Sequence, residues 1–568
     1  MFPKNHPPVV NILQQNIIVR QIPTTYIDDS DSETEAGSAQ DESEEQDIDE
    51  DDCMTDEDFA RFLANWSEEQ SVRAETPATQ PLEISLSDYN GLMPGMSVEL
   101  LEDDFLRITK ILRYRTGEVK LRGYYFKRLD NLPILFPKER DRELCWLVNE
   151  DTEGTVSFEH EVGVNDVQDV PDIVLTNRPW KDQVVPTPSS YVCRFIWHAT
   201  LDKGEWIIRY LLPTESDRLF RVSSSGLRRE WRGRTIPYGS VQNTNSAEHR
   251  PRNLHPKLQR QYTFGDVFCG AGGVSHGAWE AGLRIKYGVD IDERACETYC
   301  KNFIHSICEY SDFNSWLTLP VNEVKVDISH SSPPCQTFSP AHTTSRNIER
   351  DEANSSLIFT PCDMVKKVKP RIHTLEETFG LASRHKETFY TLVQGLLECG
   401  YSIHSKVVSC EKYGIPQIRK RLVIIAAGPG DKLPQFPAPT HGPGLRPYVT
   451  IQDVIDKISP DAPDHSLANT AFQNCVAKAP YDPNSLARTI TCGGGERNYH
   501  PSGLRNFTIR ELACLQTFHP QYRFSASYAK KQIGNAVPPR LAQAIYQAAI
   551  QSLQETDESE LAEPIVIE

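Results

Sequence analysis

Asp266-Val267-Phe268-Cys269-Gly270-Ala271-Gly272-Gly273 decides the fold class of this chain. It reads as a buried strand running into a glycine-rich turn, where backbone can approach a nucleotide-like ligand closely. Alone, Gly270, Gly272 and Gly273 would only make a tight strand-to-helix corner. The next apolar strand, Lys286-Tyr287-Gly288-Val289, ends on Asp290, about twenty residues after the glycines. An acid at that place typically binds ribose hydroxyls. Asp312, in Ser311-Asp312-Phe313, stands where a third strand should end and can accept from an adenine amino group. Turn and acids in this order fit an adenosine-containing cofactor.

Some sixty residues after the glycine turn comes Ser332-Pro333-Pro334-Cys335-Gln336-Thr337-Phe338-Ser339. It presents one cysteine, held by two prolines, on a loop that follows a later strand. A thiol becomes a useful nucleophile when a helix N-terminus or a cation lowers its pKa from about 8.5. Farther on lie Glu376, in Thr374-Leu375-Glu376-Glu377-Thr378, and Arg419 and Arg421, in Gln417-Ile418-Arg419-Lys420-Arg421. Thiol, carboxylic acid and guanidinium together are what covalent addition to a ring requires: a nucleophile, a proton donor and a cation to hold the donor.

The glycine turn and the Pro-Pro-Cys loop resemble the first and fourth motifs of DNA (cytosine-5) methyltransferases. Thr508-Ile509-Arg510-Glu511-Leu512-Ala513-Cys514-Leu515-Gln516-Thr517-Phe518-His519-Pro520 resembles the family's ninth motif, and Gln532-Ile533-Gly534-Asn535-Ala536-Val537-Pro538-Pro539 the tenth. The set runs in the family's order over about 280 residues, half the chain. The resemblance implies S-adenosylmethionine as cofactor, lined by Asp266, Phe268, Gly270, Gly272, Gly273, Asp290, Ile291, Asp312, Pro334, Asn535 and Val537. Cys335 is then the nucleophile, with Glu376, Arg419 and Arg421 as its catalytic partners. Double-stranded DNA is the implied substrate. The target cytosine would be flipped out beneath a loop spanning 336–354, with Arg346 or Arg350 near phosphate or the vacated stack.

The rest of the chain is read around this core. The net charge of −19 belongs to the tails: 17 acids and no Lys or Arg between Asp28 and Asp58, and six acids and no base from Glu555 to Glu568. The remainder is mildly basic, at +4, which is compatible with a nucleic-acid partner. Residues 1–85 are expected to be disordered, with Phe59, Phe62, Leu63 and Trp66 forming either a short amphipathic helix or a frayed linker. Residues 90–245 are expected to form a β domain, from the alternation in Val98–Leu101, Leu106–Leu112 and Val119–Arg128 around a Thr116-Gly117 turn. These strands resemble a bromo-adjacent-homology (BAH) domain, which implies a chromatin partner. Trp146, Trp197 and Trp206 are read as core. The run Arg228, Arg229, Arg232, Arg234 is either a phosphate contact or a solvated linker.

Residues 260–550 alternate strands (Thr263–Phe268, Lys286–Val289, Val326–Ser329, Leu422–Ala426) with helical stretches, as in a doubly wound parallel sheet. The fold class is therefore α/β, Rossmann-like, with an inserted recognition lobe at about 428–506 and an acidic tail at 551–568. Fourteen scattered cysteines and no secretory segment indicate a reduced compartment, cytosol or nucleus, and the DNA reading favours the nucleus. No apolar run reaches the length of a membrane span. Cys296, Cys300, His305 and Cys308 lack the spacing of a known zinc ribbon or finger and read as the buried face of a helix, so no metal is expected.

One departure stands out. Most of the family has Glu-Asn-Val where this chain has Glu376-Glu377-Thr378. The Glu-Glu-Thr form looks like a fungal subfamily associated with repeat-induced point mutation and premeiotic methylation, which implies de novo methylation or silencing of repeated DNA. An ionised Glu377 can only accept hydrogen bonds, and it sets a second carboxylate beside Glu376. Buried together, the pair would share a proton and raise one pKa, which either keeps an acid, Glu376, protonated for cytosine N3 or loosens the nucleophile loop. Two other readings remain: a methyltransferase-like chromatin factor with little turnover, and a tRNA cytosine-5 methyltransferase.

Overall fold

The computed structural model describes residues 19–21, 84–132, 136–137, 142–150, 156–200 (except 183, 185–186 and 188), 205–241, 260–334, 338 and 355–562 (except 469, 471, 473–476, 494–497 and 526–527). At its centre lies the parallel sheet expected from the motif order. Strand Thr263–Val267 pairs in parallel with Arg284–Asp290 on one side and Ile328–Ser331 on the other. Arg284–Asp290 continues to Ile307–Tyr310, and Ile328–Ser331 to Ile372–Glu377. Lys420–Ala427 then joins Ile372–Glu377 antiparallel, and Ser402–Ser409 joins Lys420–Ala427 antiparallel. The strand order reverses at Thr263–Val267, so the crevice at its carboxyl end is where this sheet type binds ligands. The expected strand Val326–Ser329 is found two residues later, at Ile328–Ser331.

The C-terminal helix, Pro539–Ala562, lies along the glycine-turn helix, Gly273–Glu280. Two glycines permit the approach. A Cβ on Gly273 would sit 2.5 Å from the Val537 carbonyl oxygen, and one on Gly277 2.2 Å from that of Pro539. Both are well inside contact distance, so any larger residue pushes the helices apart.

The β region begins earlier than expected, at Ile84–Leu86, and its strands Asp104–Arg113 and Val119–Arg128 match the alternation read from sequence. Among the described residues it does not close on itself. Its strand Glu205–Tyr210 pairs antiparallel with Ser402–Ser409, so the two sheets are continuous. One apolar cluster spans the junction, with Trp206 edge-on to Phe389 and the Tyr210 hydroxyl donating to the Leu397 carbonyl at 2.6 Å. Trp146, Trp197 and Trp206 are all buried, as read.

Three expectations need correction. Within the stretch expected to be disordered, Val19–Gln21 forms a strand parallel to Ile307–Tyr310; Phe59, Phe62, Leu63 and Trp66 lie outside the described residues. The basic run is split between buried ion pairs and solvent. It lies in and just after helix Ser224–Arg232, where Arg228 and Arg232 are buried, with Arg228 paired to Glu560 and Arg232 to Asp327. Arg229 and Arg234 are exposed. The acids of the expected tail begin inside the C-terminal helix. Asp557 is fully buried, 2.8 Å from Arg371, and accepts from the Tyr262 hydroxyl and the Tyr238 N–H at 2.7 Å each. Arg371 also pairs with Asp431 at 2.7 Å. Charges withdrawn this far from water are tolerated only as a closed set. Removing one partner strands the others, so Asp557→Ala should lower unfolding free energy by about 3–5 kcal/mol, read from urea denaturation. Loss below 1 kcal/mol would show that the network is hydrated.

Candidate active site

The site assembles at the carboxyl ends of the parallel strands. Phe268 follows the first strand at φ 60°, a left-handed conformation uncommon for a bulky residue. It leads into Gly270 (φ 51°) and Gly272 (φ 83°), for which that region is free of cost. Asp290 locks the turn: one carboxylate oxygen accepts from the Gly270 N–H at 2.7 Å, the other from the Asp292 N–H at 2.9 Å. Each oxygen retains a second lone pair for a ligand hydroxyl. Burial raises the Asp290 pKa above the usual carboxylate range.

The surroundings suit an adenosine-bearing ligand. A Cβ on Gly270 would meet nothing within 4 Å, so open space lies over the turn. Ile291 is 61% exposed beside Asp290, and a solvated branched aliphatic makes a ready platform for a flat ring. On the other side the Phe268 ring stacks on Phe313 with centroids 5.8 Å apart. Asp312 caps helix Phe313–Leu317, accepting from the Ser315 N–H at 3.0 Å and hydroxyl at 2.6 Å. Gly273 and Val537 meet where the two helices touch. Asn535 is exposed and accepts from the Cys492 thiol.

Asp266 behaves differently from the expectation that it lines the ligand. It is 1% exposed, and its Oδ2 accepts from the Ser275 hydroxyl at 2.6 Å, bracing the glycine-turn helix from beneath. Burial lifts its pKa to about 7.

The catalytic group is brought together in part. Arg421 Nε lies 2.8 Å from Glu376 Oε1, with both side chains still partly open to solvent (14% and 11%). A small recess between Val274, Val537, Val423 and Tyr546 reaches Glu376 from the cofactor helices. Arg419 is not part of this pair. It is 1% exposed and donates to the carbonyls of Ile490, Gly534 and Ala536, fastening the inserted lobe to the tenth-motif turn. Its role is structural because three carbonyls already occupy its guanidinium. Pro334 is half-buried at the head of the nucleophile loop. Cys335, Arg346 and Arg350 lie outside the described residues, as does the 336–354 loop apart from Phe338.

Sequence reading missed the network that ends on Ser332. His330 shares hydrogen bonds with the Thr374 hydroxyl at 2.8 Å and with the Ser332 hydroxyl at 2.7 Å, and Thr374 continues to the Tyr546 hydroxyl at 2.8 Å. Burial lowers the His330 pKa to about 3, so the imidazole is neutral. The signal was present: Ser329-His330-Ser331 is polar in a central parallel strand, where unbroken apolar residues are normal.

Cys296 and Cys300 are buried on helix Glu293–Asn302, and Cys308 on the adjoining strand. Among the described residues no group of three or more His, Cys, Asp or Glu is arranged to hold a metal ion. No described helix is long and apolar enough to cross a membrane.

Asp290 is the joint between turn and second strand. Asp290→Ala should therefore weaken S-adenosylmethionine binding at least tenfold, about 1.4 kcal/mol, by calorimetry. Undiminished affinity would refute this placement of the ligand.

The family model described as C-5 cytosine-specific DNA methylase matches residues 262–481 and 466–551. A type II methyltransferase of Haemophilus parahaemolyticus, M1.HphI, is 29% identical over 51% of this chain and 86% of its own length. M.NgoFVII of Neisseria gonorrhoeae is 27% identical over 53% and 86%. Among solved structures, the S. pombe Dnmt2 methyltransferase aligns with 52% of this chain and 99% of its own, at 19% identity and a TM-score of 0.40. On the family match across half its length, the chain belongs to the C-5 cytosine-specific DNA methylases, enzymes that take their methyl group from S-adenosylmethionine.

Proposed function

We propose that this chain methylates cytosine C5 in double-stranded DNA through a covalent Cys335 adduct, in de novo methylation or silencing of repeated DNA in the nucleus. The observation that carries the chemistry is the Arg421–Glu376 pair at 2.8 Å, on the strand beside the one that leads into Ser332-Pro333-Pro334-Cys335. The Cys335 thiolate adds to C6 of a flipped cytosine. Glu376, held by Arg421 and still partly open to solvent, takes up a proton as the base docks and donates it toward N3, so that negative charge does not build on the ring. S-adenosylmethionine supplies an electrophilic methyl group. After transfer to C5, water takes the C5 proton, the N3 proton returns to Glu376, and expulsion of the Cys335 thiolate restores the aromatic ring. The His330–Ser332 bond steadies the approach to the nucleophile.

The silencing role rests on resemblance: the Glu-Glu-Thr motif, the acidic N-terminal stretch and the BAH-like strands. The continuous sheet supports a chromatin-facing role for the β region, because a partner bound there would meet a unit rigidly joined to the catalytic half.

Duplex DNA carrying 5-fluorocytosine should trap the wild-type chain in a cofactor-dependent adduct, while Cys335→Ser should give none. Trapping on tRNA but not on duplex DNA would replace the substrate, and no trapping on either would favour the low-turnover chromatin factor. Glu376→Gln should lower kcat by about 10²–10⁴-fold with cofactor affinity retained; a kcat within threefold of wild type would remove Glu376 from the mechanism.

A further inference from the structure

Glu377 is the side chain that the mechanism above leaves unused. It is fully buried at the end of strand Ile372–Glu377. Its Oε2 accepts from the Thr378 N–H at 3.1 Å, and its Oε1, also buried, has no hydrogen-bond partner among the described residues. A buried carboxyl oxygen left without a partner costs about 1–3 kcal/mol, and more if charged.

Register identifies what lies beside it. Ile328 pairs with Ile372 and Ser331 with Leu375. Continuing the parallel ladder by two residues sets Pro333 beside Glu377. Neither Pro333 nor Pro334 has a backbone N–H, so this stretch offers carbonyl acceptors and no backbone donors. A carboxylate facing it would set acceptor against acceptor. A carboxylic acid supplies the missing donor. We propose that Glu377 is a positioning residue, its carboxyl group donating a hydrogen bond to a backbone carbonyl of the Pro333-Pro334 segment and so fixing the approach to Cys335. This rests on the methyltransferase reading of the site.

The electrostatics agree. Burial first, and the neighbouring Glu376 second, push the Glu377 pKa well above its ordinary 4.5, against smaller opposing effects of the Thr378 N–H and Arg421. Of polar groups the parallel neighbour Ile328–Ser331 presents two Ser and the neutral His330; the antiparallel neighbour, where Leu422 pairs with Glu377, carries Lys420 and Arg421; and the helix that follows, Gly380–Arg384, ends on Arg384. Glu377 is thus the acid that its surroundings keep protonated, where the sequence reading considers Glu376 for that part. Glu376 instead holds Arg421.

The test uses the full chain with Glu377→Gln, which keeps a donor without a charge, and Glu377→Met, which keeps bulk without a donor. Glu377→Gln should retain at least about a third of kcat, and Glu377→Met should lose about tenfold or more, the loss of one buried hydrogen bond, with the KM for DNA and calorimetric cofactor affinity near wild type. Wild-type kcat should also fall on the alkaline side as Glu377 ionises, and that fall should be absent in Glu377→Gln. Glu377→Gln as inactive as Glu377→Met, Glu377→Met as active as wild type, or superimposable pH profiles would each overturn the proposal.

A readout independent of turnover comes from linkage. A carboxyl whose folded pKa is raised contributes stability present below its unfolded pKa and lost as pH rises toward the folded value. The Tm of Glu377→Gln should therefore gain on wild type progressively above pH 4.5, the ordinary value of the group. A Tm difference constant from pH 4.5 to 8 would show that Glu377 is not the proton holder. If wild type fails to form the 5-fluorocytosine adduct, the functional reading fails, and the Tm comparison still judges Glu377.

Discussion

Two adjacent parallel strands, Ile328–Ser331 and Ile372–Glu377, carry polar side chains into an interior that tolerates none unpaired. Ser329, His330, Ser331, His373, Thr374, Glu376 and Glu377 are all buried. Burying such groups without partners would cost several kcal/mol in total. Most are satisfied across the strand pair: Ser329 with His373, His330 with Thr374, and Thr374 with Tyr546 on the C-terminal helix. The pairing holds the two catalytic segments in register, because the nucleophile loop leaves one strand just where the acid stands on the next. A one-residue slip would break each bond and turn Glu376 away from the cofactor helices.

The same helix that completes this network closes the cofactor side. Its entry turn rests on Gly273 and Gly277, and its distal end is drawn into the charged set of Asp557, Arg371 and Asp431. Tyr546 lies between these anchors. Fixing a helix at both ends fixes the hydroxyl that steadies Thr374, so packing remote from the chemistry still bears on it. Helix Ser224–Arg232, through Arg228 and Arg232, ties the segment after the β region into the same set of buried charges. The β region is joined twice, by this set and by the strand pairing of Glu205–Tyr210 with Ser402–Ser409.

Electrostatics separates the two adjacent glutamates by environment. Strand geometry sends them to opposite faces. Glu376 faces the recess beside the cofactor helices and meets Arg421; Glu377 faces a closed interior. Identical side chains one residue apart therefore have different surroundings, one held by Arg421 at the reacting site and the other closed off behind it.

Much of this was legible in the sequence. The glycine turn, the strand ending on Asp290, the order of motifs and the β alternation of Val119–Arg128 are local patterns, and local backbone preferences and period-two burial act over a few residues. That is why strand positions were right to within two residues and Asp290, Phe268 and Ile291 stand at the turn as read. What the sequence could not decide depended on partners far apart in the chain. Arg419 and Arg421 look equivalent in Gln-Ile-Arg-Lys-Arg, yet one is consumed by carbonyls of residues 490, 534 and 536 while the other meets Glu376. Asp266 looks like a ligand acid and is a buried brace. The arginines near 230 and the acids near 557 read as surface charge, and only tertiary structure could reveal that Arg228 meets Glu560, Arg232 meets Asp327 and Asp557 meets Arg371, because the energy of a buried charge is set by its partner and not by its neighbours in sequence.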